Sequence, residues 1–169
     1  MLFLFNMRNK QDLQNLLTQK LSGYNVVFGD VNGTIDLTIP ADKLIDVCKI
    51  LKNDPELEFD WMVDAVGVDR FQKNLRFEVI YNLRSRKHKD RIFFRVKIND
   101  SKNPETPSVA GVWEAADWYE REAYDMVGIK FTGHPDLRRM YMPEEFEYYP
   151  LRKDFPLMGI PGSLPLPNK

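Results

Sequence analysis

Thiols and imidazoles are scarce in this chain. Of its 169 residues one is cysteine, Cys48, and two are histidine, His88 and His134. An iron-sulfur cluster takes about four thiolates and a structural zinc site about four Cys or His ligands, so the chain can build neither by itself. A single cysteine also excludes an internal disulfide, which fits a reducing compartment. Long apolar runs are missing too. The apolar start from Met1 to Phe5 stops at Asn6, shorter than a secretory leader, and nothing approaches the roughly twenty apolar residues of a spanning helix. The expectation is a protein that is soluble, or held at a membrane only through a partner. Nor does one sign of charge prevail. With 24 basic and 25 acidic residues, nucleic acid and anionic membrane surfaces are poor principal partners, whereas a protein surface of mixed charge remains open.

What is present can fold. Hydrophobic residues make up 43% and aromatics 12%, enough for the core of one main domain with a tail. Leu13, Leu16, Leu17 and Leu21 recur at helical spacing, so an amphipathic helix is expected over 11–21, ended by Gly23. A short strand over 24–28 follows, then a turn through Gly29, Asp30, Asn32 and Gly33, then an alternating strand over 34–39, together a hairpin. Pro40 suits the first turn of a second helix. In that helix Leu44, Ile45, Val47, Cys48 and Leu51 share a face, which makes Cys48 an inert core residue. After Asn53-Asp54-Pro55, residues 61–68 are apolar on both faces except for Asp64, the pattern of a central strand. Two period-2 runs, 75–83 and 92–98, flank the basic turn 84–91 and predict a long antiparallel hairpin.

Residues 100–107 form a polar connector. Val112, Ala116, Tyr119, Ala123 and Met126 then predict a helix within 111–127, stopped by Gly128. Beyond it, prolines at 135, 143, 150, 156, 161, 165 and 167 are too frequent for a long regular element. An extended arm is expected there, ordered only where it touches something. The order α-β-β-α-β-β-β-α gives an α+β fold of two layers, a mixed and mostly antiparallel sheet of about five strands with helices on one face, followed by an extended C-terminal arm. Residues 1–110 read as the core domain, and 111–169 as a helix with a proline-rich docking arm.

Several residues invite a chemical role. Glu120 and Glu122 lie two apart on a helix and point in different directions, so they do not form an acid/base pair on one atom. Asp117, Arg121 and Asp125, spaced by four, suit an ion-pair ladder. His134 has no nucleophile in a suitable setting near it, and before Pro135 in a glycine-led turn it reads as a loop anchor. The basic turn lacks the glycine cradle and interleaved aromatics of a phosphate or single-strand binder, so it and His88 read as a solvated hairpin tip. Pro150, Leu151, Arg152, Lys153, Asp154 and Phe155 alternate apolar anchors with fixed charges, which suits a segment lying on a partner's surface.

The stretch from Glu120 to Leu157 carries a more specific pattern. Glu120, Arg121, Glu122 and Asp125 lead through Gly128 and Gly133 to His134, Pro135, Asp136, Arg138 and Arg139, and the stretch closes on residues 150–156. In that order and spacing it resembles the signature of the 30-kDa subunit of respiratory complex I, also known as its C- or J-subunit. The resemblance implies a cofactor-free structural subunit in the peripheral arm of a proton-pumping NADH:quinone oxidoreductase, whose FMN, iron-sulfur clusters and quinone are held by other chains. It implies docking on the 49-kDa-type quinone-site subunit (the D-subunit) near the iron-sulfur B- and I-subunits, at the cytoplasmic side of the inner membrane. By carry-over, Glu120, Arg121, Glu122, Asp125, Gly128, His134, Arg138, Arg139 and the closing motif serve folding and docking, with no catalytic residue. An equivalent subunit of a related membrane-bound hydrogenase or plastid-type complex is a second expectation. A stand-alone anion-binding module using the basic tip is a third.

Overall fold

A computed structural model describes residues 8–156. The expectations placed on the first seven residues and on residues 157–169 therefore lie outside the described part. Helix α1 (Lys10–Lys20) starts where the Asn9 side chain accepts the Asp12 N–H at 2.9 Å, and it buries Leu13 and Leu17. Strands β1 (Val27–Val31) and β2 (Thr34–Thr38) pair antiparallel around Asn32 and Gly33. Both turn residues have positive φ, 51° and 83°, the requirement of a two-residue type I′ turn. That tight turn draws Gly29 and Asp30 into the ladder. The first strand thus lies three residues later than its apolar content suggested.

After Pro40 a short 3-10 turn, Ala41–Lys43, leads into α2 (Leu44–Asn53), which buries Leu44, Val47, Cys48 and Leu51. Strands β3 (Trp61–Asp69), β4 (Phe77–Arg84) and β5 (Arg91–Ile98) complete a five-stranded sheet ordered β1-β2-β5-β4-β3. It is mixed, because β2 runs parallel to β5 and the other pairs are antiparallel. Tyr81 stacks on Phe94 at its centre, ring centroids 4.4 Å apart. One expectation fails: β3 is an edge strand, not a central one. Its apolar character is used by a helix instead. Ala65 is buried on the covered face while Val66 stays 53% exposed on the other.

Two elements escaped the sequence. Strand β6 (Glu105–Pro107), inside the supposed connector, pairs parallel with β7 (Lys130–Thr132) beyond the third helix. Three residues per strand leave no periodicity to read. Between them α3 (Ala116–Val127) is shorter at its start than expected. Residues 109–115 are turns, held by Trp113, whose indole N–H donates to the Phe59 carbonyl at 2.9 Å. Helix α3 lies against β3 where Gly67 leaves room: a Cβ there would stand 2.9 Å from the Ala123 Cβ. Val112, Ala116, Ala123, Val127 and Phe131 join the same buried cluster as the residues of α1, α2 and the sheet. From Gly133 to Pro156 the chain has no helix or strand.

Candidate functional site

Helix α3 positions most of the signature residues. Its inward face carries Glu120, Arg121 and Asp125, all buried, while Glu122 points outward. The divergence expected of residues two apart is therefore present. Glu120 sits where α3 meets the segment after β6. It accepts the Ser108 hydroxyl at 2.5 Å and the Val109 N–H at 2.8 Å, with the Tyr81 hydroxyl at 3.4 Å. The carboxyl is fully inaccessible, and His134 Nε2 approaches it to 4.0 Å. Burial outweighs these bonds and pushes its pKa up to about 7. The same burial pushes up the Cys48 thiol and the Tyr81 phenol nearby.

His134 fastens its loop to the first turn of α3. Its Nδ1 accepts the Asp136 N–H at 3.0 Å, and Nε2 lies 3.1 Å from the Asp117 carbonyl. An acceptor at Nδ1 leaves Nε2–H as the donor. The loop-anchor reading of His134 thus matches its geometry.

The ladder expected of Asp117, Arg121 and Asp125 does not form. Arg121 stacks over Trp118 at 4.9 Å and reaches the Arg138 carbonyl at 3.4 Å. Asp125 turns instead to the arm. It accepts the backbone N–H groups of Met140, Tyr141 and Met142 at 2.9, 2.6 and 3.0 Å, and the Arg139 guanidinium at 2.7 Å. Burial opposes its ionisation, but the three amides and the guanidinium win and hold its pKa below the ordinary carboxylate value. A fourfold-satisfied carboxylate outcompetes an exposed i,i+4 pair, which is worth only about 0.3–0.5 kcal/mol.

The closing motif also meets the chain's own body. Gly128 ends α3 with φ 79°, and a Cβ there would stand 2.5 Å from the Arg152 guanidinium and 2.6 Å from the Tyr149 ring. Arg152 donates to the Val127 carbonyl at 2.7 Å and lies over the Tyr149 and Phe77 rings. The Leu151 N–H bonds the Met126 carbonyl at 3.0 Å, and the Lys153 N–H bonds Asp69 at 2.9 Å. Asp154 pairs with Arg76, which also holds Asp69. For Asp69, burial is outweighed by Arg76 and by the Lys153 and Phe71 amides, and its pKa falls to about 2. Phe155 meets Tyr148 edge-on at 6.5 Å, and Pro150 is half-buried. Arg138 is surface-exposed beside Asp136.

Of the charges in the closing motif Arg152 is half-buried, whereas Lys153 and Asp154 stay exposed, and apolar groups around them are exposed as well. Tyr141, Tyr148 and Leu151 remain 60%, 42% and 59% exposed. Sequence reasoning missed Ser108, Tyr81, Asp69 and Arg76 as partners of the signature. Their distance along the chain hides the contacts.

The basic tip is partly tied down. Arg86 pairs with Asp60 at 2.6 Å, Lys87 with Glu58 at 2.6 Å, and His88 Nε2 lies 3.0 Å from the Pro55 carbonyl. Only part of it is the freely solvated turn expected. Among the described residues no group of three or more His, Cys, Asp or Glu is placed to hold a metal ion. Among the same residues no helix is long and apolar enough to cross a membrane.

Known proteins match the same stretch. The family described as respiratory-chain NADH dehydrogenase, 30 Kd subunit, matches residues 37–161. The NADH-quinone oxidoreductase C-subunit 2 of Rhizobium meliloti (strain 1021) is 47% identical over 80% of this chain and 74% of its own. The NADH-quinone oxidoreductase C-subunit of Roseiflexus sp. (strain RS-1) is 43% identical over 76% of this chain and 73% of its own. The solved trypsin-resistant fragment of Nqo5 is 29% identical with a TM-score of 0.63, over 74% of this chain and 98% of the fragment. With the matched region running from β2 through α3 and the arm, the chain belongs to the 30-kDa subunit family of respiratory-chain NADH dehydrogenase, which includes these NADH-quinone oxidoreductase C-subunits.

Proposed function

We propose that this chain is a structural subunit of the peripheral arm of a proton-pumping NADH:quinone oxidoreductase, contributing no catalytic residue and no cofactor of its own. It docks on the 49-kDa-type quinone-site subunit, beside the iron-sulfur B- and I-subunits, on the cytoplasmic side of the inner membrane. By positioning that neighbour it supports electron transfer to quinone. In this reading residues 1–110 are the body and 111–169 the docking segment.

The observation that carries the proposal is the fastening of the arm by Asp125. Three successive amides and Arg139 converge on one buried carboxylate, so the signature organises a surface rather than a reaction cleft. That surface presents Tyr141, Tyr148 and Leu151 to solvent. Exposed aromatic and aliphatic anchors on a rigidly held segment are what a protein interface uses at its centre. Holding them in place beforehand lowers the ordering cost of association.

Purification from membranes in mild detergent, with mass spectrometry of the co-eluting chains, tests the reading. Recovery with the quinone-site and iron-sulfur subunits is expected, and Tyr141→Ser with Leu151→Ser should reduce it while the circular dichroism of the free chain is unchanged. A wild-type chain that elutes as an unaccompanied monomer overturns it.

A further inference from the structure

The sheet has two faces, and only one is covered by helices. On the open face, cross-strand neighbours line up in rows. One row runs Asp64, Asn82, Phe93 and Asp36, and the next contains Val66, Ile80 and Arg95. Their charges are accounted for: Asn82 donates to Asp64, and Arg95 pairs with Asp36 at 2.8 Å and approaches Glu78. The end row differs. There Trp61 stands opposite Arg84, and Arg84 opposite Arg91.

Like charges directly opposed across two strands destabilise a sheet. Arg91 is drawn aside, donating to the Asn82 side chain at 3.0 Å and stacking over Phe93. Arg84 and Lys89 meet no carboxylate among the described residues. Of the nearby acids, Asp60 is taken by Arg86 and Asp90 lies beside Arg8. The residues outside the described part, 1–7 and 157–169, contain no Asp or Glu. Trp61, Arg84, Arg86, Lys89 and Arg91 together line a half-open cleft of about 530 Å³, and Trp61 is 49% exposed beside it.

The geometry points to this Trp61–Arg84–Lys89 cleft as a second docking surface, which takes a carboxylate-bearing segment of a neighbouring polypeptide. It rests on the reading of the chain as a docking subunit, and it names a face well separated in sequence from the arm. Charge complementarity identifies the occupant. Arg84 offers an unoccupied fork that suits a carboxylate, Lys89 adds a point charge, and Trp61 supplies a flat apolar wall. Trp and Arg side by side are the residues that dominate binding energy at protein interfaces. Phe93 in the next row, and Val66 and Ile80 in the row beyond it, lie on the same face of the sheet, which favours an extended polypeptide over a small anion.

The test is Arg84→Glu combined with Lys89→Glu in the full chain, expressed with its native neighbours. Quantitative mass spectrometry reads the amount of this chain retained per quinone-site subunit as salt is raised. Retention should fall about tenfold, the scale of losing one or two interfacial charge contacts. The free variant should unfold at the same or a higher temperature, because the repulsion between Arg84 and Arg91 is relieved. Arg84→Lys with Lys89→Arg should retain the chain. Trp61→Ala, which leaves every charge in place, should lower retention several-fold and serves if the double reversal fails to fold. Wild-type retention by both variants at every salt concentration overturns the proposal. So does a double variant that keeps its retention but loses binding of the isolated chain to vesicles of anionic phospholipid, since the occupant is then a lipid surface. A wild-type chain never recovered with other subunits removes the docking reading itself, a distinct outcome.

Discussion

Glu120 and Asp125 stand five residues apart on one helix, both buried, yet their protons behave oppositely. Burial pushes Glu120 up to about 7, whereas Asp125, equally closed to solvent but less deeply enclosed, is held below its ordinary value. The difference lies in the depth of enclosure and in the donors. Asp125 collects three backbone amides and a guanidinium. Glu120 collects one amide, a serine hydroxyl and a distant phenol, with Asp117 adding a neighbouring negative charge. Burial alone does not fix the charge of a carboxyl; the balance of desolvation against hydrogen bonds to the ionised form does. The two ends of α3 consequently do different work. The Asp125 end fastens the arm through charge, and the Glu120 end joins the helix to the strand β6 region through a carboxyl that holds its proton near neutrality.

The sharpest way to break this contrast is Asp125→Asn. It leaves Arg139 without its anion and turns an acceptor toward becoming a donor among three amides. Unfolding free energy should fall by about 3–5 kcal/mol, the cost of stripping one partner from a buried pair. Denaturant titration measures this, and limited proteolysis should cut first within residues 139–156. An arm no more sensitive to protease than wild type would show that Asp125 does not fasten it.

Acidity separates the two groups next. Glu120 has a folded pKa raised above its unfolded value of 4.5, so its contribution is complete below 4.5 and is lost as pH rises toward 7. The loss amounts to about 3 kcal/mol. Asp125 works in the other direction: its contribution is present above 3.8 and disappears as pH falls through its depressed folded value. Glu120→Gln should flatten the stability profile between pH 4.5 and 7 while leaving the acid limb below pH 4 intact. Thermal melts across that range decide it, and a wild-type slope in the Gln variant would reassign the titration.

A smaller effect is expected at the joint between the two regions. Gly128→Ala forces a side chain into left-handed backbone and against Arg152 and Tyr149. It should cost about 1–3 kcal/mol and free the closing motif, visible as faster amide exchange at Leu151 and Lys153. The smallest change is Arg138→Glu. Among the described residues this exposed side chain pairs only with Asp136, so stability should move by less than about 0.5 kcal/mol. Native gels of membranes should nevertheless show reduced assembly if the residue docks. Unchanged assembly would confine the docking surface to other residues.

Much of the fold was legible in advance because it rests on local periodicity. The leucines of α1, the alternation of β4 and β5, and the glycine stop of α3 each announce themselves within a few residues. The place of β3 at the sheet edge was not legible. Apolar residues on both faces say that a strand is covered, not whether a strand or a helix covers it. The ladder of Asp117, Arg121 and Asp125 failed for a related reason: helical spacing reveals which residues could meet, but not that residues 139–142 would offer Asp125 a better set of donors.

By itself, the sequence determined the order of the longer elements, β6 and β7 excepted, the burial of Cys48, and the ordered signature from Glu120 onward. These follow from composition and from short-range geometry, which need no knowledge of the rest of the chain. Only the tertiary structure decided which signature charges face inward, that Glu120 and Asp125 differ in protonation, and that Arg84 and Lys89 stand beside Trp61 with no carboxylate partner among the described residues. Those properties depend on donors and acceptors far apart in sequence, such as Ser108 with Glu120 and Asp69 with Lys153, brought together only when the sheet closes under the helices.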